Sequence, residues 1–487
     1  MSEPANLLFV LAESHCQKAL GCYGHPLVKT PNLDRLADRG VRFTDAYCAS
    51  PLCMPAQASI ATGQYVHQHE YWESSLAYDG RIPSWMRRLR DRGHEVTAIG
   101  RLHFRSTEGD NGFSEEILPM HITEGVGDLV GLLRCSGEEV RDGIWDRYVL
   151  ELGVGEHNPD QEYDRQITTE AVRWLKRHAK QTGKPWVLCV HYTSCHPPYT
   201  IPQRLYDIYA PGDSPLPGYT HPVERPEHPA LQHYRKVLRY KDGVDEALMR
   251  KIAACYFGLV THLDEQVGQV LQTLEETGLN ASTRVIYSSD HGSSHGHNYI
   301  VHTSFHYDPS CAVPLLMAGP GIPSGKTVKQ VTSHVDLFPT IVEALGEAPA
   351  EEDMALPGIS LWPALHGRET ERLGFSEYHG MGSRSASFML RDGRYKLIYY
   401  VDMPPQLFDL ETDPGESVDL AADGGSREKV SELEAKLRSI VDPEDANDLA
   451  IAAQRRRVEE LGGTQAILEK RRGFVFSPRH GADWREG

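Results

Sequence analysis

The sequence predicts an α/β protein: a large, mixed, mostly parallel sheet sandwiched by helices, with a smaller C-terminal α+β subdomain. Three observations lead there. Short, almost wholly apolar runs alternate with helical patterns up to about residue 345, as expected of parallel strands buried on both faces. From about residue 372 the alternation gives way to closely spaced strands and a hairpin signal. The length, 487 residues, exceeds one typical domain.

The elements follow in order. Leu7–Ala12 is a continuous apolar strand closed by Glu13. Thr30-Pro31 reads as an N-cap with proline at the first helical position, and Leu33, Leu36 and Gly40 complete a short helix. Val41–Cys48 returns as a strand, Ser84–Arg92 is a helix, and Glu95–Ile99 the next strand. Tyr163–Thr182 is helical, Pro185–Tyr192 a strand, and the amphipathic stretch Ala247–Thr277 leads to the strand Arg284–Ser288. Val313–Ala318 and the helix Val335–Leu345 complete a catalytic α/β domain expected over 1–371. In 372–442, Ser387–Leu390 and Tyr395–Val401 flank the turn Asp392-Gly393, followed by a strand at Gln406–Leu410 and a helix at Ser426–Ile440. Residues 443–487 are expected to form a helical extension with basic clusters at Arg455-Arg456-Arg457 and Lys470-Arg471-Arg472, an arm suited to a homo-oligomer. Asp207–Asp245, rich in Pro, His and Tyr with weak periodicity, is expected to be a surface excursion that selects substrate.

Charge narrows the function. With 68 acidic and 50 basic residues the net charge is −18, which excludes a general nucleic-acid binder. It also disfavours long-range capture of anions unless cations are focused in a cleft. Leu7–Ala12 is too short for a signal-peptide core or a membrane span, and no basic region precedes it. Nine scattered cysteines without paired spacing argue against a disulfide framework. A cytoplasmic protein with no membrane partner is expected.

Ligands of open α/β sheets bind outside the carboxyl ends of the strands, and four strand ends here run into polar clusters. These are Glu13-Ser14-His15, Gly100-Arg101-Leu102-His103, Ser194-Cys195-His196-Pro197-Pro198 and Ser289-Asp290-His291-Gly292. Carboxylates from two strand ends with an adjacent imidazole suit a divalent cation. Pro55, two residues after Cys53, suits the first turn of a helix. That places Cys53 at a helix N-terminus, where the dipole favours a thiolate or a bound anion. A nucleophile beside a metal is a hydrolase arrangement. Each feature taken singly also has a plain reading: Cys53 as a small buried hydrophobe, Asp290-His291-Gly292 as a cap and turn, and His295, His297, His302 and His306 as a solvated loop.

As a set, the motifs resemble the sulfatase family of the alkaline-phosphatase superfamily, in that family's order and over nearly the whole chain. They are Asn6-Leu7-Leu8-Phe9-Val10-Leu11-Ala12-Glu13, Gly21-Cys22-Tyr23-Gly24, Thr30 to Leu36, the Cys53 segment ending Thr62-Gly63, Asp290-His291-Gly292, and Ser333 to Thr340. Tyr307-Asp308-Pro309-Ser310, Leu407 to Leu410 and Asp413-Pro414 are similar to the phosphonate monoester hydrolase branch. The resemblance implies an alkaline-phosphatase-like sheet and a cysteine, here Cys53, oxidised to formylglycine, whose hydrate attacks sulfur or phosphorus beside one divalent metal ion. It implies Glu13, Asp290 and His291 as metal ligands, and Arg101, His103 and His196 as groups that hold the anion or assist the leaving group.

Three departures shape the expectation. Gln57 stands where the motif has arginine, Glu13-Ser14 replaces the usual aspartate pair, and Thr303 stands where a substrate-binding lysine is usual, with His302 or His306 as its substitute. Gln57, Thr303, His302 and His306 are accordingly expected to line the substrate pocket. The histidine content favours manganese or zinc over calcium. The function expected is hydrolysis of a small anionic sulfate ester, with phosphonate monoester or phosphodiester hydrolysis as the alternative on the same scaffold. From a different class, the alternative is a sulfatase-like binding protein without catalysis.

Overall fold

The computed structural model describes residues 3–122, 125–129, 131–136, 152–156, 158–180, 183–210, 228–237, 246–298, 300–422 and 424–469. Among these, eight strands form the main sheet: β1 (Asn6–Ala12), β2 (Gly40–Phe43), β4 (Val96–Arg101), β5 (Glu115–Met120), β7 (Val187–His191), β9 (Thr283–Ser289), β10 (Leu315–Ala318) and β11 (Lys326–Val328). Two-residue ladders pair β3 (Ala46–Tyr47) with β12 (Thr332–Ser333), and β6 (Gly153–Val154) with β8 (Thr200–Ile201). The order across the main sheet is β11-β2-β10-β9-β1-β7-β4-β5. Only β10 runs against its neighbours β2 and β9; the other pairs are parallel. The mixed, mostly parallel sheet is as the sequence predicts.

β1 lies at the centre, and its side chains supply two cores in alternation. Leu8 and Val10 pack with Ile167, Trp174, Leu259 and Leu263 on one face. Leu7, Phe9 and Leu11 pack with Trp85, Leu337, Phe338 and Ile341 on the other. Burial on both faces explains why the strand reads as a continuous apolar run. The 31-residue helix Glu246–Glu276 crosses the first face and meets the helix Pro159–His178 there. No helix among the described residues is long and apolar enough to cross a membrane.

Several elements depart from expectation. The strand expected over Val41–Cys48 is broken into β2 and β3, because Thr44 and Asp45 turn the chain between two separate ladders. The helix expected from Tyr163 begins at Pro159, where the Asn158 side chain accepts hydrogen bonds from the amides of Asp160 and Gln161. Within the 207–245 stretch, the helix Pro229–Val237 is not a surface excursion. Leu231, Tyr234 and Val237 are buried, and Tyr234 packs edge-on against Phe305. Residues 211–227 and 238–245 of that stretch, and the Lys470-Arg471-Arg472 cluster, lie outside the described residues.

A second, antiparallel sheet follows: β13 (Leu373–Tyr378), β14 (Ser387–Asp392), β15 (Tyr395–Tyr400) and β16 (Met403–Asp409), in sequential order. The β14–β15 hairpin turns at Gly393, whose φ of +55° suits glycine. The helix Arg427–Arg438 covers it through Leu433 and Leu437. The helix Pro443–Glu460 then folds back on its own chain: Asn447 accepts from the Ala386 amide, and Gln454 donates to the His379 carbonyl.

Buried charge fastens this sheet to the α/β portion. Lys396 on β15 is fully buried, with its ammonium 2.8 Å from Asp308 and 2.7 Å from Glu416. Lys396→Met would leave those carboxylates in the interior without their main counter-charge. It is expected to destabilise the protein by about 3–5 kcal/mol, read from the denaturant midpoint. A variant as stable as the parent would show the ion pair to be dispensable.

Candidate active site

Parallel register assembles the site. Ala12 on β1 sits opposite Ser289 on β9, so the next residues, Glu13 and Asp290, leave the sheet side by side. Leu11 pairs with His191 on β7, and Gly100 on β4 pairs with that same His191. The loops bearing His196 and His103 therefore start at the same edge. Backbone hydrogen bonds lock the exits: Asp290 N–H to Ala12 O at 3.1 Å, Glu13 N–H to Ser194 O at 3.2 Å, and His103 N–H to Met120 O at 3.0 Å.

Cys53 is the first residue of the helix Cys53–Thr62, every residue of which is buried. One ligand atom each from Glu13, Cys53, His103 and Asp290 lies within 4.8 Å of the others, and all four residues are buried. Arg101 forms a close ion pair with Glu13 and donates to His103. His196 Nε2 is 3.7 Å from the other Glu13 oxygen, and its Nδ1 faces Pro197 O at 2.6 Å. Asp290 Oδ1 accepts from the Ser14 amide (3.1 Å) and the His291 amide (2.7 Å), whereas Oδ2 has no hydrogen-bond partner among the described residues. His291 Nδ1 faces Gly292 O at 2.8 Å, which leaves the buried Nε2 likewise without a hydrogen bond, 3.9 Å from Asp290. The His302 ring completes the row, 5.2 Å from His196 and 6.5 Å from His291.

Electrostatics follow from burial. Desolvation, and then the Arg101 charge, hold His103 and His196 well below the usual imidazole range. Desolvation and then His291 take His302 down to about 3. These imidazoles are neutral at physiological pH, the form in which a ring nitrogen can accept a hydrogen bond or ligate a metal. Burial, followed by the Asp290 charge, pushes the Cys53 thiol well up. Desolvation thus opposes the helix N-terminus, whose amides at Cys53 and Met54 pull the thiol the other way.

The structure thus brings together Glu13, Cys53, Arg101, His103, His196, Asp290, His291 and His302. Gln57 is buried one helical turn beyond Cys53. Two expected substrate-binding residues are engaged elsewhere. The Thr303 hydroxyl donates to Pro51 O at 2.9 Å, fastening the histidine loop beside Cys53. His306 Nε2 faces the carbonyl and hydroxyl of Ser387 on β14, at 3.1 Å each. The reading of the histidine run as a solvated loop is also overturned, since His295, His297 and His306 are buried and the half-buried His302 packs edge-on against His196. Sequence reasoning missed the backbone amide of Ser14 as the brace of Asp290. It also missed Asp164, which binds the loop carrying His196.

A family model described as Sulfatase matches residues 5–347. The chain belongs to the sulfatase family. A second sulfatase model, described as N-sulphoglucosamine sulphohydrolase, C-terminal, matches residues 296–442. Among relatives of this sulfatase, choline-sulfatase of Rhizobium meliloti (strain 1021) is 30% identical over 423 residues, covering 85% of this chain and 82% of that protein. Arylsulfatase K of Homo sapiens is 27% identical over 508 residues, covering 99% and 90%. The phosphonate monoester hydrolase of Agrobacterium radiobacter superposes with a TM-score of 0.74 at 26% identity, over 90% of this chain and 95% of that one. The alkaline-phosphatase-like fold and the sulfuric-ester hydrolase class follow from these likenesses.

Proposed function

We propose that this sulfatase hydrolyses a small sulfate monoester at the Cys53 centre, with one divalent metal ion and with Cys53, as formylglycine, for its nucleophile. One observation carries the reading: Cys53 Sγ shares a single cluster with Glu13, His103 and Asp290. The donor set fits a cation. Asp290 Oδ2 and His291 Nε2 are buried without hydrogen bonds among the described residues, and Glu13 adds a second carboxylate. Glu13, Asp290 and His291 would hold the ion, which supplies Lewis-acid polarisation of a sulfuryl oxygen. The carboxylate–imidazole mix favours manganese or zinc.

Each remaining group has its own task. Arg101 is the cation beside Glu13 and is placed to neutralise a bound sulfate oxygen. His196 and His103 are imidazoles within 3.9 Å of Glu13, held neutral by burial and Arg101, and are suited to orient the ester and to accept a proton from the attacking hydroxyl. His302, against His196, adds an imidazole to the anion pocket from the loop that also carries Thr303. Gln57, buried one helical turn along from Cys53, carries a neutral amide where the motif has arginine.

The second reading, phosphonate monoester or phosphodiester hydrolysis, is favoured by the superposition on the Agrobacterium enzyme. Parallel assays with 4-nitrophenyl sulfate, an aryl phosphodiester and an aryl phosphonate, each with Mn2+, Zn2+ or Ca2+ added back, separate the two. A kcat/KM for sulfate at least tenfold above the others is expected. The reverse ranking would transfer the assignment, and no turnover with any ester would leave a binding protein. Peptide mass spectrometry reports the state of position 53, where an aldehyde is about 18 Da lighter than the thiol.

A further inference from the structure

We infer that Asp164 is the positioning residue that sets the 193–196 loop, and through it Glu13 and His196, for the chemistry at the metal centre. The inference rests on the hydrolase reading above. Asp164 lies on the helix Pro159–His178 and is wholly buried. Its two oxygens take four donors from two consecutive residues. Oδ1 accepts from Thr193 N–H and from Thr193 Oγ1, both at 2.8 Å. Oδ2 accepts from Ser194 N–H at 3.2 Å and from Ser194 Oγ at 2.6 Å.

That loop is interleaved with the metal-ligand strand. Glu13 N–H donates to Ser194 O, and Cys195 N–H donates to Glu13 O at 2.5 Å. His196 N–H returns to Thr193 O at 3.0 Å, so the imidazole carrier hangs from the anchored residue. Each Asp164 oxygen thus fixes one residue of a segment whose carbonyl and amide bracket Glu13. Packing alone would be served by an apolar side chain of similar size. What the geometry requires is an acceptor at both oxygens, which only a carboxylate provides. An asparagine would turn an NH2 group toward a backbone N–H that cannot accept. Burial raises the Asp164 pKa to about 6 despite the four donors, so the group is ionised at neutral pH but held there at a cost. A costly buried charge at the base of a catalytic loop suits positioning better than bulk stability.

The test uses the full-length, Mn2+-loaded protein with 4-nitrophenyl sulfate, and Mn2+ titrated calorimetrically into the stripped protein. Asp164→Asn is expected to lower kcat by about 10–100-fold while KM moves less than about threefold, since misplacing catalytic groups by an ångström has effects of that size. Mn2+ affinity should weaken by about tenfold or more, as on loss of a group that orients a ligand. A folded Asp164→Asn protein with parental kcat and Mn2+ affinity would overturn the inference. Should that variant fail to fold, Ser194→Ala removes only the hydroxyl bond, and a parental kcat and Mn2+ affinity there would overturn it equally. A parent protein that neither turns over an ester nor binds Mn2+ sinks the hydrolase reading and this inference with it. An active parent with an indifferent variant sinks the inference alone.

Discussion

Cys53→Ala is expected to lower kcat/KM for a sulfate ester by on the order of 10^4-fold or more, with metal content and fold retained. The fold should survive because alanine keeps the first turn of a helix that is buried throughout. The truncation removes a single sulfur from a small cluster with Met54, Ala77 and Ile122, a loss of about 1 kcal/mol. The chemistry should not survive, because Cys53 is the one thiol, and so the one precursor of an aldehyde nucleophile, in the cluster with Glu13, His103 and Asp290. Cys53→Ser separates the routes further. If the working group is the aldehyde, a serine that stays an unoxidised alcohol by mass spectrometry should be nearly as inactive as alanine. Retention of more than about one-hundredth of the parental rate by the alanine variant would instead assign the attack to a metal-bound water.

Stripping the metal is expected to abolish turnover and to lower the melting temperature by a few degrees, both reversed by Mn2+ or Zn2+. An ion present at a hundred times its dissociation constant stabilises the folded state by about 2.7 kcal/mol. Asp290→Asn isolates the site's contribution. The Oδ1 position still accepts from the Ser14 and His291 amides, so the local backbone keeps its bonds. Only Oδ2, which has no hydrogen-bond partner among the described residues, is changed to a nitrogen that cannot ligate. Metal affinity should fall by on the order of 100-fold, and the melting temperature should no longer respond to added Mn2+. A parental response to Mn2+ in this variant would place the ion elsewhere.

Much of this site was legible in the sequence because its residues directly follow apolar strands. A strand buried on both faces ends where the first polar residue appears, and parallel strands present those ends at one edge. Glu13, His103, His196 and Asp290 could therefore be read as neighbours before any coordinates. What could not be read depends on loop path and cross-strand pairing. The position of Thr303 relative to the anion is one such case, because His295, Asn298, His302 and Ser304 all adopt positive φ. Such a backbone changes direction at every few residues, and counting along it does not say which side chain faces the anion. The Arg101–Glu13 pair joins strands whose order in space no local pattern reveals. The start of the helix at Pro159 was missed for a simpler reason. Asn158-Pro159 has the same cap grammar as Thr30-Pro31, but the apolar periodicity begins only at Tyr163.

The pairing of Ala12 with Ser289 has a consequence for how the molecule matures. Ser14 and Asp290, joined by a hydrogen bond, are 276 positions apart in the chain. A growing polypeptide cannot close the metal centre until its ninth strand has been made and laid against its first. Contacts of such sequence separation form late. Cys53, only 5% exposed once folding is complete, is by contrast open from the moment it is synthesised. If Cys53 is converted as proposed, the converting enzyme must act in that interval, and the order of assembly would be covalent chemistry first, strand closure second and metal capture last.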